Sequence, residues 1–412
     1  MSRSYAETLA YLFERLPMYQ RTGGAAMKKD LTNIRLLLDE LGHPERRFRC
    51  IHVGGTNGKG TVSHLLAAAL QAHGYRTGLY TSPHYKDFRE RIKIDGTFIG
   101  EAEVVSFVEE MLPAIERIEP SFFELTVAMA FAHFARSGVE WAVVEVGLGG
   151  RLDSTNVIDP ELAVITNIGY DHMQFLGDTL PLIAGEKAGI MKPGRPVVIG
   201  ESQEETDGVF RARAQTLGAP LIFADREAGK DYATDLRGPF ALKNLQTAHV
   251  ACQMLSRYAG LSLDPERVAY AFAHVNELTY YIGRWQLLDA GDPLVLADSA
   301  HNGEGLRPVL HRLNELAEQR GGRLHLVLGV VNDKDLGKAL PLFPISARYY
   351  FVKADIPRGL PAEALRAAAA AYGLIGEAYA SVPAGFAAAR GAASAPDIVF
   401  VGGSIFTVAE VL

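Results

Sequence analysis

Cys50-Ile51-His52-Val53-Gly54-Gly55-Thr56-Asn57-Gly58-Lys59-Gly60-Thr61 reads as a buried strand that turns through glycines into a helix opening on a lysine. Glycines let successive backbone N–H groups converge on oxyanions, the helix N-terminus adds partial positive charge, and Lys59 adds a full one. The stretch is a phosphate cradle, and the chain reads as a nucleoside triphosphate enzyme. Strand, glycines, lysine, hydroxyl and amphipathic helix follow in order, which a turn without a ligand would not require. Asn57, Gly58, Lys59, Gly60 and Thr61 are the candidate nucleotide contacts. The usual P-loop places Ser or Thr directly after the lysine, whereas here Gly60 intervenes and Thr61 comes second.

Around this loop the composition sets bounds. At 412 residues, with 48% apolar and 22% charged, the chain exceeds the usual size of one domain, so two are expected. Its apolar runs fall short of the ~18 residues of a membrane span, and Met1-Ser2-Arg3-Ser4-Tyr5 leads into a mixed amphipathic pattern rather than a signal peptide. The expectation is a soluble, cytoplasmic protein with no membrane partner, and monomeric by default. Cys50 and Cys252 are too few and too far apart for a disulfide framework or a thiolate zinc site, and read as core residues. A net charge of −7 without a basic tract argues against nucleic acid and against long-range attraction of an anionic substrate. Local cations, and so metal ions, are expected to hold any polyanion.

Strand-like and helical runs alternate along the chain. Helices marked by Tyr5 to Leu16 and by Leu31 to Leu41 precede strand Phe48–Val53; then come a helix at 59–73, strand Thr77–Tyr80, helices near 101–118 and 122–137, and strands Trp141–Val146, Leu162–Ile165 and Pro196–Ile199. Such alternation means a parallel sheet covered by helices. After helices near 243–259 and 264–274 it restarts with Leu294–Ala297, 303–320, Leu324–Leu328, Tyr349–Val352 and Ile398–Val401. The predicted architecture is α/β: a P-loop parallel-sheet ATP-binding domain at 1–278, a linker at 279–287, and a smaller Rossmann-like doubly wound domain at 288–412.

Ligands of open parallel sheets sit beyond the carboxyl ends of the strands. Four polar stretches stand at such places: Thr81-Ser82-Pro83-His84, Glu145 through Asp153, Asn167 through His172, and Gly185 through Ile190. Together with Gly24 through Leu31, Phe88 through Gly96 and the Lys-Gly-Thr ending of the loop, they resemble, in order, the motifs of dihydrofolate synthase/folylpolyglutamate synthase, the folate branch of the Mur ligase superfamily.

The resemblance implies that Ser82, Glu145 and His172 are magnesium ligands, that Lys187 is a lysine carbamylated by carbon dioxide, and that Lys59, Lys187, His172 and Glu145 form the catalytic group. Mg²⁺ takes one or two carboxylates, hydroxyls, phosphate oxygens and water, which suits Glu145 and Ser82. A histidine nitrogen is less natural for so hard a cation, so His172 points to a second metal site that tolerates Mn²⁺, or to a histidine simply hydrogen-bonded at the sheet edge. Carbamylation replaces +1 with −1 and turns Lys187 from a clash into a ligand; the alternative is a lysine that binds the substrate carboxylate or phosphate itself.

Farther along, Gly283-Arg284-Trp285-Gln286 and Asp298-Ser299-Ala300-His301-Asn302 resemble the family's remaining signatures. Arg284 is implied at the triphosphate, Asp298 at the ribose hydroxyls and His301 between them. Over 243–249 the family's His-Gln pair and adenine-contacting Asn are not all kept: Gln246 remains, and His249 or Asn244 is left to meet the adenine. Ser121 through Thr126 is similar to the folate-binding stretch, with Phe123 to stack on the pterin and Glu124 to accept its paired N–H bonds. Ser82 also lies near the substrate, and Asp153 contacts it or orders the glycine loop.

The implied reaction is ATP-dependent addition of L-glutamate to 7,8-dihydropteroate, and also to tetrahydrofolate, through an acyl phosphate. A peptidoglycan amino-acid ligase would carry a leading domain of ~100 residues, against the 53 residues before Gly54. A nucleotide-dependent regulatory binder is the alternative from another class.

Overall fold

The computed structural model describes residues 3–18, 30–332 and 336–412; residues 24–29 of the Gly24–Leu31 motif lie outside them. By internal contacts the chain divides into two compact units, Met1–Asp235 with Leu242–Tyr281, and Leu236–Ala241 with Ile282–Leu412.

In the first unit, β1 (Arg49–Gly54), β2 (Thr77–Tyr80), β3 (Ile92–Ile94), β4 (Thr97–Phe98), β5 (Trp141–Glu145), β6 (Leu162–Ile165), β7 (Val197–Ile199) and β8 (Leu221–Phe223) form one sheet in the order β4-β3-β2-β5-β1-β6-β7-β8. Six strands are parallel, and β3 and β4 fold back antiparallel on the edge. Every residue of β5 and β6 is buried, as strands covered by helices on both faces require. The β3–β4 hairpin turns at Asp95 and Gly96, both at positive φ (49° and 76°), where an Asp-Gly pair fits the twist of paired strands. β1 lies between β5 and β6, so the loop after Gly54 emerges in the middle of the carboxyl edge.

Helix Phe122–Arg136 packs Phe122, Phe131 and Phe134 into the core under β2, β5 and the first helices. Its start is a capping box: the Ser121 N–H donates to Glu124 Oε2 (2.7 Å), and the Glu124 N–H donates to Ser121 Oγ (3.2 Å). Glu124 is 2% exposed. The carboxylate expected at the substrate thus closes the helix that carries it.

The second unit holds β9 (Gln286–Asp289), β10 (Leu294–Asp298), β11 (Leu324–Leu328), β12 (Arg348–Phe351), β13 (Gly376–Ala378) and β14 (Ile398–Gly402) in the order β13-β12-β11-β14-β10-β9. All pairs are parallel except β9 with β10. Its core includes Trp285, and Phe240 of the 236–241 segment packs against it.

Two tests follow from this packing. Gly55 has φ +136°, and an added Cβ would stand 2.9 Å from the Thr166 backbone nitrogen. Gly55→Ala should lower stability by about 3 kcal/mol in urea unfolding. Glu124→Ala should cost about 1 kcal/mol through loss of the cap, and leave KM for a pterin substrate within twofold; a tenfold rise in KM would restore Glu124 to the substrate.

Candidate active site

The glycine loop is fixed by the chain that follows β6. The Thr56 N–H donates to the Asn167 carbonyl (2.9 Å), the Asn57 N–H to Asn167 Oδ1 (2.9 Å), and Thr166 Oγ1 donates to the Asn57 carbonyl (2.5 Å). Thr56 Oγ1 accepts from the Gly169 N–H (2.9 Å). Asn57 thus spends its amide on the scaffold. The amides of Lys59, Gly60 and Thr61 open the helix and, as its first amides, lack partners within it, which suits them to an anion. Gly58, at φ +83°, is the helix N-cap. Gln203 clasps the Asn167–His172 stretch from behind, accepting from the Ile168 N–H (3.2 Å) and donating to its carbonyl (3.0 Å). No motif pointed to Gln203; its role comes from where the 204–217 helix begins.

Two lysines converge on this turn. Lys59 Nζ donates to the Thr56 carbonyl (3.1 Å) and Lys187 Nζ to the Gly55 carbonyl (2.8 Å). Lys187 is 4% exposed, and burial, followed by repulsion from Lys59, brings its pKa down to about 7 against the pull of Asp171 and Asp153. Near neutral pH a large fraction is therefore the uncharged amine.

Glu145, at the end of β5, is buried and lies beside the loop: a Cβ on Gly60 would stand 3.6 Å from its Oε1. The Ser82 N–H donates to Glu145 Oε2 (2.9 Å), so the ends of β2 and β5 meet there. The loop beyond Ser82 is gathered by Glu90, which accepts from the amides of Tyr85, Lys86 and Asp87 at 2.6–2.9 Å. His172 starts the short helix Met173–Leu176 from a left-handed conformation (φ 50°), with Nε2 3.8 Å from Asp171 Oδ1.

The glycine loop after β5 is ordered by Asp153. Its Oδ2 accepts from the Leu148 N–H (2.8 Å), and its Oδ1 accepts from the N–H and Oγ1 of Thr155 (3.0 and 2.5 Å). Burial raises the Asp153 pKa, and these bonds oppose the rise. The loop passes close under Phe123: a Cβ on Gly147 would stand 2.4 Å from the ring. Phe123 is half-buried, unlike Phe122, and packs at the margin of the core.

Of the two candidates for the altered 243–249 motif, Asn244 reaches the loop and His249 does not. Asn244 Oδ1 occupies the space a Cβ on Gly58 would take, whereas His249 is bonded to the Tyr232 hydroxyl (2.7 Å) and Gln253 (3.1 Å). Five residues on, a helix has turned by about 140°, which sends His249 to another face. Gln246 donates to the Ala224 carbonyl (2.8 Å).

Within the second unit, Asp298 is buried and accepts from the N–H groups of Trp285 (2.7 Å) and Ala300 (2.7 Å). It pins the Arg284 turn to the end of β10; burial raises its pKa, and the exposed Arg284 opposes the rise. Ser299 Oγ donates to the Gly283 carbonyl (3.2 Å), so serine at this position adds a tie to the same turn. His301 Nδ1 lies 3.0 Å from the Ser299 carbonyl.

Among the described residues, no three His, Cys, Asp or Glu side chains are gathered as a metal-binding group. The donors beside the loop still suit a hard cation that draws on phosphate and water: one carboxylate, Glu145, joined to Ser82 and flanking the turn that carries Thr61. No described helix is long and apolar enough to cross a membrane.

Comparison with known proteins agrees with this fold. Residues 53–237 match the Mur ligase middle domain and residues 283–405 the Mur ligase, glutamate ligase domain. The chain is 33% identical over 390 residues to the dihydrofolate synthase/folylpolyglutamate synthase of Bacillus subtilis, covering 87% of each. It superposes on Escherichia coli FolC in complex with DHPP and ADP with a TM-score of 0.87 at 29% identity, over 99% of this chain and 97% of that one. It also matches the bifunctional enzyme of Yersinia pestis complexed with AMPPNP and Mn ion, with a TM-score of 0.83 at 29% identity, over 99% and 97% of the two chains. With its phosphate loop, its lysine pair and its doubly wound second unit, the chain belongs to the dihydrofolate synthase/folylpolyglutamate synthase family of the Mur ligases.

Proposed function

We propose that this protein joins L-glutamate to the carboxylate of 7,8-dihydropteroate, and to tetrahydrofolate and its glutamylated forms, at the expense of ATP. The observation that carries the reading is the convergence of Lys59 and Lys187 on the glycine turn beside the Glu145 carboxylate. The complexes of the relatives with ADP, and with AMPPNP and Mn ion, support a nucleotide and a divalent cation.

An amide does not form from carboxylate and ammonium in water without activation. The carboxylate attacks the γ-phosphoryl group to give an acyl phosphate and ADP; the glutamate amine then adds to the acyl carbon, and phosphate leaves from the tetrahedral intermediate. Lys59 and the amides of Gly60 and Thr61 neutralise charge on the transferring phosphoryl oxygens. Phe123 stacks on the pterin above the loop that Asp153 orders, which orients the carboxylate. Asn244 meets the nucleotide in place of His249. Glu145, Ser82 and Thr61 would hold one divalent cation, and His172 with a carbamylated Lys187 would serve a second; a cation held there would supply positive charge to the phosphates. The Lys187 amine attacks CO2, forms the N–C bond and releases one proton, a reaction open to the uncharged amine that burial favours.

Glutamate-dependent release of phosphate with dihydropteroate, and none with a muramyl nucleotide, is expected. Release indifferent to glutamate and pteroate would reject the ligase. Lys59→Ala should lower kcat about 100- to 1,000-fold. For Lys187, carbamate should accumulate as pH rises through about 7, where the amine loses its proton. Turnover in CO2-depleted buffer should fall and recover with bicarbonate, with a ¹³C signal from labelled bicarbonate that Lys187→Gln lacks. Equal turnover with and without CO2 and no such signal would leave Lys187 a direct ligand of substrate.

A further inference from the structure

His52 lies mid-strand in β1 with its side chain fully buried, a position that an aliphatic residue would fill without polar atoms to satisfy. Its Nε2 is 2.8 Å from Thr155 Oγ1, and its Nδ1 is buried without a hydrogen-bond partner. An unpaired buried ring nitrogen is costly and asks for a reason.

The proton positions supply one. Thr155 Oγ1 has one proton, which it donates to Asp153 Oδ1 at 2.5 Å. The short contact to His52 therefore needs the imidazole as donor, so the ring carries its proton on Nε2 and leaves Nδ1 bare. Burial, with repulsion from Lys192, lowers the His52 pKa to about 3, so the ring stays neutral across the working range. A donor chain results: His52 Nε2–H to Thr155 Oγ1–H to Asp153 Oδ1. With Oδ1 held by Thr155, Asp153 turns Oδ2 to the Leu148 N–H, and Gly147 of the same loop lies under the Phe123 ring.

We propose that His52 is a positioning residue for the acid substrate: through Thr155 it fixes the rotamer of Asp153, and with it the 147–150 loop beneath Phe123. The inference rests on the reading that Phe123 and this loop receive the pterin. It does not involve the nucleotide side of the site, so its effect falls on one substrate.

The test compares two amides in the full-length enzyme. The side-chain nitrogen of Gln can reach the place of Nε2, whereas that of Asn stops near the place of Nδ1. His52→Asn should raise KM for dihydropteroate about tenfold, with KM for ATP within twofold of wild type, and His52→Gln should recover most of the loss. Equal defects in both variants, or a parallel rise in both KM values, would overturn the proposal and make His52 a packing residue. Ring ¹⁵N NMR of the wild-type protein at pH 7 decides independently of whether the variants fold. A neutral ring protonated on Nε2 is expected, and a proton on Nδ1 would overturn the chain of donors. If wild type turns over no pteroate at all, the substrate reading fails instead, and the tautomer still reports on the relay.

Discussion

Two lysine amines aimed at neighbouring carbonyls of one glycine turn, Lys59 at Thr56 and Lys187 at Gly55, create a demand for negative charge that grows when Lys187 takes up its proton and that the surrounding protein meets only in part. Asp171 and Asp153 stabilise the Lys187 cation, but burial and Lys59 outweigh them. In such surroundings like charges repel more strongly than in water, so an arriving polyphosphate relieves the site as well as filling it. Most of the nearby architecture serves to keep that turn rigid while the demand goes unmet. The β6 extension takes the amides of Thr56 and Asn57, and Thr166 closes against Gly55.

The strands carry the same logic outward. Because β1 sits between β5 and β6, the carboxyl ends of three neighbouring strands deliver the phosphate loop, Glu145 and the Thr166–His172 stretch to one edge. β2, on the far side of β5, adds Ser82. A parallel sheet thereby gathers groups scattered over more than a hundred residues without any of them being near in sequence.

Much of this was legible before the structure. Thr77–Tyr80, Leu162–Ile165 and Leu324–Leu328 are strands with the bounds read from the sequence, because short unbroken apolar runs flanked by polar turns leave little choice of register. The hairpin at 92–98 went unread although Ile-Lys-Ile followed by Asp-Gly announces it. Helix Glu204–Leu217 was also missed, despite three acidic residues in its first turn and Gly218 as its left-handed cap. At the site, residue types after strands singled out the glycine loop, Ser82 and Glu145, which the sheet does bring together. They did not separate a carboxylate that binds from one that caps, because Glu124 fits both descriptions until its partner at Ser121 is known. Asn244 and His249 were likewise equal in sequence and differ only by helical phase. Gln203 and the His52 to Asp153 relay are tertiary contacts without a local pattern.

Segment Leu236–Ala241 belongs by its contacts to the second unit although it precedes the last helices of the first, so the polypeptide passes from one unit to the other three times. Trp285 and Phe240 share that unit's core, and Gly238 leaves room for the Trp285 Cβ, 3.1 Å from where a Cβ of its own would stand. Residues 282–412 alone would thus lack part of their own interior. A single proteolytic nick near 281 would sever residues 282–412 from the rest of the polypeptide yet leave the 236–241 segment packed in their core, whereas a fragment built from that boundary would expose an indole its parent keeps dry.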